Sequence, residues 1–265
     1  MIDRRALLGG HTVLPRFPCP TCGQGYTKPG EIKAADKEED PSLKRTNPDL
    51  LGPEDDHGLF QTRLMCTNSG CQQRFMVSGI YYTDWTGYSQ EHGSEFLEDN
   101  YRILSIIPAP HIITVPQDLP DEVKGVLDRA FQHFWGDPDA CANAVRSVIE
   151  QVLDALGVAS ESTNAKGKTT RLNLYQRLDL IKASHPSLWD CGDALRETGN
   201  LGSHGDGGVT HEMLADAFQV LEPEVMALKR PEVLKRLRES IAERKKEAEA
   251  AAKAKAAGAA SNSAP

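Results

Sequence analysis

The chain has 265 residues, long enough for one or two domains with a proper core, which excludes peptide and mini-scaffold classes. Hydrophobic residues make up 39% and charged residues 26%, with 22 Gly and 16 Pro, so collagen-like and wholly disordered chains are also excluded. The net charge of −8 is uneven: ten Lys or Arg and five Asp or Glu lie between Lys229 and Ala256, leaving −13 on the remainder, and so acidic a body argues against strong nonspecific nucleic-acid binding.

The first residues, MIDRRALLGGHTVLP, lack the sustained apolar run of a secretory signal. The most apolar stretch, Ile103 to Val115, is interrupted by Ser105, Pro108, Pro110 and His111 and falls far short of the roughly 20 apolar residues that a membrane span needs. The sequence therefore predicts a cytoplasmic protein that makes no use of a membrane.

Three zones follow from composition: a cysteine-bearing segment over 1–117, a helical segment over 118–228 and a charged tail over 229–265. In the first, Cys19-Pro-Thr-Cys22 and Cys66-Thr-Asn-Ser-Gly-Cys71 form two close pairs. Four thiolates grouped two and two are what a closed tetrahedral zinc site requires, so Cys19, Cys22, Cys66 and Cys71 are the predicted ligands of a structural zinc. A closed site of this kind folds its surroundings and leaves no open position for catalysis. The residues between the pairs include EIKAADKEEDPSLKRTNPDLLGPEDDH, too poor in apolar groups to offset the entropy of ordering, and read as a long mobile insertion. After Cys71, RFMVSGIYYTDW and YRILSIIPAPHIITVP are rich in β-branched and aromatic residues and predict short strands around the cysteine site.

From Leu119 the period changes. Val123, Val126, Leu127, Ala130, Phe131 and Phe134 recur at helical spacing behind Pro120, Asp121 and Glu122. A second helix opens with Asp137 as N-cap and Pro138 at N1, runs through Cys141, Ala144, Val145, Val148, Ile149, Val152, Leu153 and Leu156, and stops at Gly157. The polar run ASESTNAKGKTT reads as a loop. A shorter helix follows on Leu174, Leu178 and Ile181, another from near Ser187 on Leu188, Cys191 and Leu195, and a fifth after Thr210 that Pro223 should kink or end. Cys141 and Cys191 fall on apolar faces and read as small hydrophobes. In the tail, the apolar stripe ends with Leu234, Leu237 and Ile241, and Gly258 to Pro265 reads as disordered.

Arg196, Asn200 and His204 stand at i, i+4 and i+8, a spacing that lines them along one ridge of a continuous helix. Gly199 and Gly202 in the same stretch predict close backbone approach by another helix, or a helix end. An arginine that neutralises phosphate beside a histidine that shuttles protons suits metal-independent RNA cleavage through the 2′-hydroxyl. The same residues suit helix capping and buried hydrogen bonding, the usual work of polar residues between helices and the reading that the spacing alone favours. Arg146 and Glu150, also at i and i+4, read first as an intramolecular ion pair, with Glu150 to Arg196 across the bundle as a further option.

The runs ACANAVRSVIEQVLDALG, LNLYQRLDLIK and LWDCGDALRETGNLGSHGDGGVTHEMLADAFQVL resemble the bacterial family catalogued as domain of unknown function 4145, over about Leu119 to Leu228. A cysteine-pair segment often precedes that domain. Arg146, Glu150, Arg196, Gly199, Asn200 and His204 stand at its recognisable polar and glycine positions. The resemblance implies kinship with the HEPN helical domains, many of which are dimeric ribonucleases of toxin–antitoxin and antiphage systems built on an arginine and a nearby histidine. In this chain seven residues separate Arg196 from His204, and Glu197 follows the arginine, unlike the usual HEPN pattern. Together these readings predict a mainly α chain, a HEPN-like bundle of about five helices preceded by a small zinc-bound, β-containing segment. Two functions stay open: a metal-independent ribonuclease in bacterial defence or stress that uses Arg196, Asn200 and His204 on RNA, and a non-catalytic protein or nucleic-acid interaction module that forms a homodimer or docks on a partner protein.

Overall fold

The computed structural model describes residues 2–28, 32–43, 52, 55–89, 94–165, 167–204, 208–228 and 240. A one-turn helix α1 (Arg4–Leu7), capped by Asp3, precedes the cysteine segment. After a 3-10 turn at Ala34–Asp36 come β1 (Lys37–Glu39), β2 (His57–Met65), β3 (Arg74–Ser89) and β4 (Ser94–Ile107), an antiparallel meander in the order β1-β2-β3-β4. Then follow α2 (Asp121–Phe134), α3 (Pro138–Ala155), a hairpin of β5 (Glu161–Thr163) and β6 (Thr169–Arg171), α4 (Leu174–Ile181), α5 (Pro186–His204) and α6 (His211–Leu228).

Among the described residues, then, there are six helices and two antiparallel sheets, and the fold is mixed α and β rather than mainly α. The β content was underestimated because β2 lies at the end of the acidic stretch read as a mobile insertion. Within that stretch HGLFQTRLM alternates strictly, with Gly58, Phe60, Thr62 and Leu64 buried and their neighbours exposed, which is the signature of a half-buried strand. β1 pairs along its outer edge, Glu38 opposite Leu59. The insertion reading is therefore corrected for 32–43 and 55–65. Residues 44–51, 53 and 54 lie outside the described residues, as do all of 229–265 except Ser240, including the expected stripe of Leu234, Leu237 and Ile241 and the disordered end.

Along β3 the inward side chains are Phe75, Val77 and Tyr81, and β4 answers with Tyr101, Ile103 and Ile106. Ser78 pairs with Ser105 and Gly79 with Ile103, so Leu104 bulges out of register. Gly79 sits where a Cβ would lie 2.0 Å from the Arg102 carbonyl oxygen, which is why no side chain is tolerated there.

The helices form where periodicity predicts. All six apolar positions anticipated on α2 are buried. Asp137 caps α3 by accepting from the Ala140 amide at 2.9 Å, Pro138 occupies its first turn, and Gly157 closes it at φ +72°. Leu156 lies at the C-cap and is 37% exposed, so the stripe ends at Leu153. Asn173 and Gln176 make a reciprocal capping box on α4. Pro223 neither ends nor interrupts α6, because Leu221 and Val225 on either side of it are fully buried and hold the helix through the missing amide. ASESTNAKGKTT is a hairpin rather than a loop, and its strands are exposed on both faces, so no burial pattern marks them.

Sheet and helices share one core. Phe17 packs edge-on to Trp135 at 5.3 Å, Trp135 on Phe134 at 5.1 Å, and Phe134 and Phe131 on Phe218 of α6. α5 approaches α3 through its glycines: a Cβ on Gly199 would lie 2.9 Å from Arg146 Cβ, and one on Gly202 2.8 Å from the Asp139 carbonyl oxygen. Close approach, the first of the two readings of these glycines, is what the structure adopts. Arg177, on α4, is buried; its Nη2 donates to Asp154 Oδ1 at 2.6 Å and to the Val158 carbonyl at 3.0 Å, so a cation satisfies the C-terminal end of α3.

Gly199→Ala should destabilise the chain by about 1–3 kcal/mol in chemical denaturation, as overpacking of a tight helix contact does. Gly125→Ala, on the exposed side of α2 with nothing within 4 Å, should be neutral or stabilising by up to about 1 kcal/mol and serves as the matched control.

Candidate functional site

Each cysteine pair is set in a tight turn. In the first, the Gly23 amide donates to the Cys19 carbonyl, the Cys19 amide to the Gly25 carbonyl at 2.8 Å, and the Gly25 amide to Cys22 Sγ at 3.3 Å. Gly23 takes φ +62°, left-handed backbone that glycine adopts without strain. In the second, between β2 and β3, the Cys66 amide donates to the Gln73 carbonyl, the Cys71 amide to the Asn68 carbonyl, and the Asn68 amide to Cys66 Sγ at 3.4 Å. The two turns are joined by a bridge between Thr27 and Cys66. Thr27 is fully buried, and its hydroxyl accepts from the Phe17 amide at 2.8 Å.

The result brings four sulfurs within 4.8 Å of one another, with Cys19 to Cys71 and Cys22 to Cys66 each at 3.8 Å. Those distances are too long for disulfides, whose sulfurs lie about 2.05 Å apart. A tetrahedron with metal–sulfur bonds of about 2.3 Å has edges of about 3.8 Å, so the four sulfurs can hold a metal ion. The Gln24 and Gly25 amides draw the Cys22 thiol down to about 6, whereas burial pushes Cys66 up to about 12. Binding a cation would therefore displace protons from the group. Gly25 belongs to the site although its role was not anticipated: a Cβ there would lie 2.3 Å from Cys66 Sγ. The Cys-Gly-x-Gly run was its only local signal.

The ridge on α5 is engaged with its own neighbours. Arg196 donates from Nε and Nη2 to Asp193 Oδ1 at 3.0 and 2.9 Å, pairs with Glu197 as well, and stacks over Tyr175 at 5.4 Å. The Asp193 hydrogen bond, more than any other contact, holds its guanidinium protonated. Asn200 turns to a different partner, accepting from Arg146 Nη1 at 3.2 Å. Arg146 Nε lies 4.0 Å from Glu150, the ion pair read from the sequence, and Arg196 takes Asp193 and Glu197 in place of the optional Glu150 contact. His204 is the last residue of α5; its side chain lies outside the described residues. Two guanidinium groups here face three carboxylates, so the group is not a net cationic site.

Cys141 and Cys191 are buried, as their apolar faces imply. Burial pushes both thiols up, Cys191 to about 12, and each donates to a backbone carbonyl, of Ala130 and Val220 respectively.

Residues 128–247 match the family described as domain of unknown function DUF4145, and residues 10–104 match a second, domain of unknown function DUF8608. The first match covers the second half of α2 and all of α3 to α6; the second spans both cysteine pairs. No curated protein and no solved structure matches the chain. No helix among the described residues is long and apolar enough to cross a membrane.

Gly25→Ala should push the Cys66 sulfur out of the cluster. Titration with cobalt(II) should give the absorption of a tetrahedral thiolate site in the parent chain and lose it in this variant; an unchanged spectrum would show that the four sulfurs are not the ligands.

Proposed function

We propose that this chain, whose residues 128–247 carry a DUF4145 domain, is a non-catalytic interaction module: a zinc-stapled β unit fused to a helical domain that forms a homodimer in the cytoplasm. The observation that carries this reading is the pairing of Arg196. Its guanidinium is held by Asp193 and Glu197, and Asn200 is taken by Arg146, so the groups that would neutralise a scissile phosphate are already spent on neighbours. Tyr175, Leu180, Leu201 and Val220 expose apolar surface on three helices and offer something for a second copy to bury. Zinc suits an all-thiolate, tetrahedral donor set better than the harder cations do. Sedimentation of the full chain should show a dimer that Leu180→Asp or Leu201→Asp dissociates, with the helical circular dichroism unchanged; a monomer at tens of micromolar would contradict the reading.

A HEPN-like, metal-independent ribonuclease of bacterial defence is the second reading. The i, i+4, i+8 order of Arg196, Asn200 and His204 on the unbroken α5 favours it. His204 would be the general acid or base, Arg196, released from Asp193, would stabilise the pentavalent phosphate, and Asn200 would position the substrate. Incubation with single-stranded RNA in EDTA decides between the two. Cleavage to 2′,3′-cyclic phosphate ends, reduced about 10²–10⁴-fold by His204→Ala and abolished by Arg196→Ala, would establish the enzyme. RNA left intact supports the module.

A further inference from the structure

Where the edge of β4 meets the helices, a cavity of about 200 Å³ is lined by Leu7, Gly9, His11, Arg102, Trp135 and His211, together with Leu8, Gly10 and Ile103. Its walls come from four separate parts of the chain. The segment after α1 straps the β4 edge, with His11 and Tyr101 exchanging both backbone hydrogen bonds at 3.0 and 2.9 Å. The turn between α2 and α3 closes on the same edge, so that a Cβ on Gly136 would lie 2.7 Å from the Leu104 carbonyl oxygen. His211 opens α6 and packs edge-on to Phe134 at 5.3 Å.

The lining contains three basic side chains and no carboxylate, in a chain whose body is strongly acidic. Arg102 is exposed and has no ion-pair partner among the described residues, unlike Arg146, Arg177 and Arg196. Trp135 lines the cavity and is 3% exposed; its indole N–H is buried behind the wall, with no hydrogen-bond partner, close enough to report on what fills the space. Basic side chains that converge without a carboxylate among them suit a site that takes an anion. The volume admits a phosphate group with an appendage the size of a pentose, and a half-enclosed cavity of this size excludes a nucleic-acid duplex.

We infer that this cavity binds a small phosphomonoester, its oxyanion held by Arg102, His11 and His211. Burial holds both histidines below their ordinary value, and Arg102 opposes the charge on His211 while the Trp135 and Phe134 carbonyls favour it. An anion would draw the two rings toward their protonated forms. The ligand would thereby bridge the N-terminal strap, the sheet and the helical domain. None of the cysteines and none of Arg146, Arg196, Asn200 or His204 takes part, so this site stands or falls separately from the function proposed above.

The test is calorimetric titration of the full chain with inorganic phosphate and with ribose 5-phosphate, followed by the Trp135 indole N–H resonance. Both ligands should bind and shift that resonance, ribose 5-phosphate the more tightly, and Arg102→Gln, a surface change that leaves the melting temperature unaltered, should weaken both about 10- to 100-fold. His211→Asn should do the same where it folds. Binding of inorganic phosphate with ribose 5-phosphate excluded would overturn the monoester and leave the free ion as the source. No saturable binding at about 10 mM of either ligand, or equal affinity in Arg102→Gln, would overturn the site.

Discussion

The convergence of four cysteine sulfurs from two turns separated by 43 residues is the constraint on which the N-terminal half rests. The segment from Phe17 to Thr27 contains no strand of the four-stranded sheet. It is bound to the strand meander through a bridge, hydrogen bonds such as those of Thr21 to Gln73 and Tyr26 to Thr67, and the sulfur cluster. Without a cation the cluster is an unfavourable place for thiolates, since burial favours the neutral thiol of Cys66. With one, the same geometry becomes a cross-link whose apparent binding energy, on the order of 10 kcal/mol for structural zinc sites, exceeds what so small a β unit can draw from its own core.

The consequences extend beyond the cysteines. Phe17 lies two residues before Cys19, is fully buried, and contacts Trp135 at the end of α2. The turn that positions the ligands therefore also positions the aromatic group that joins sheet to helices. On the helical side, the analogous constraint is steric. Gly199 and Gly202 let α5 approach α3 so closely that Arg146 and Asn200 meet, and this approach, rather than any preference for catalysis, explains why polar side chains of the two helices hydrogen-bond there.

The sequence made some of this legible. The α2 and α3 faces, the Asp137 cap and the glycine approach all follow from local rules that tertiary structure did not override, and spacing alone grouped Cys19, Cys22, Cys66 and Cys71. β2 was hidden because its alternation sits inside a stretch whose composition is polar overall, and β5 and β6 because an exposed hairpin has no buried face to report. Nothing in the sequence singled out Arg177; that it satisfies the end of α3 depends on how α4 packs, which periodicity cannot convey. Likewise the i, i+4 relation of Arg196 and Asn200 was correct, but side chains four residues apart on one ridge still chose separate partners, Asp193 for one and Arg146 for the other. Their partners follow from a carboxylate one turn away on α5 for Arg196 and from the close approach of α3 for Asn200.

Amide hydrogen exchange on the full chain, before and after removal of metal by a strong chelator, tests the central claim most directly. If the cysteine cluster is the staple of the N-terminal half, metal removal should expose the amides of Phe17, Cys19, Thr27 and Cys66 to rapid exchange while those in the middle of α3 keep their protection. Unchanged protection at Phe17 and Thr27 in verified metal-free protein would contradict the account, because the turns would then be held without the ion.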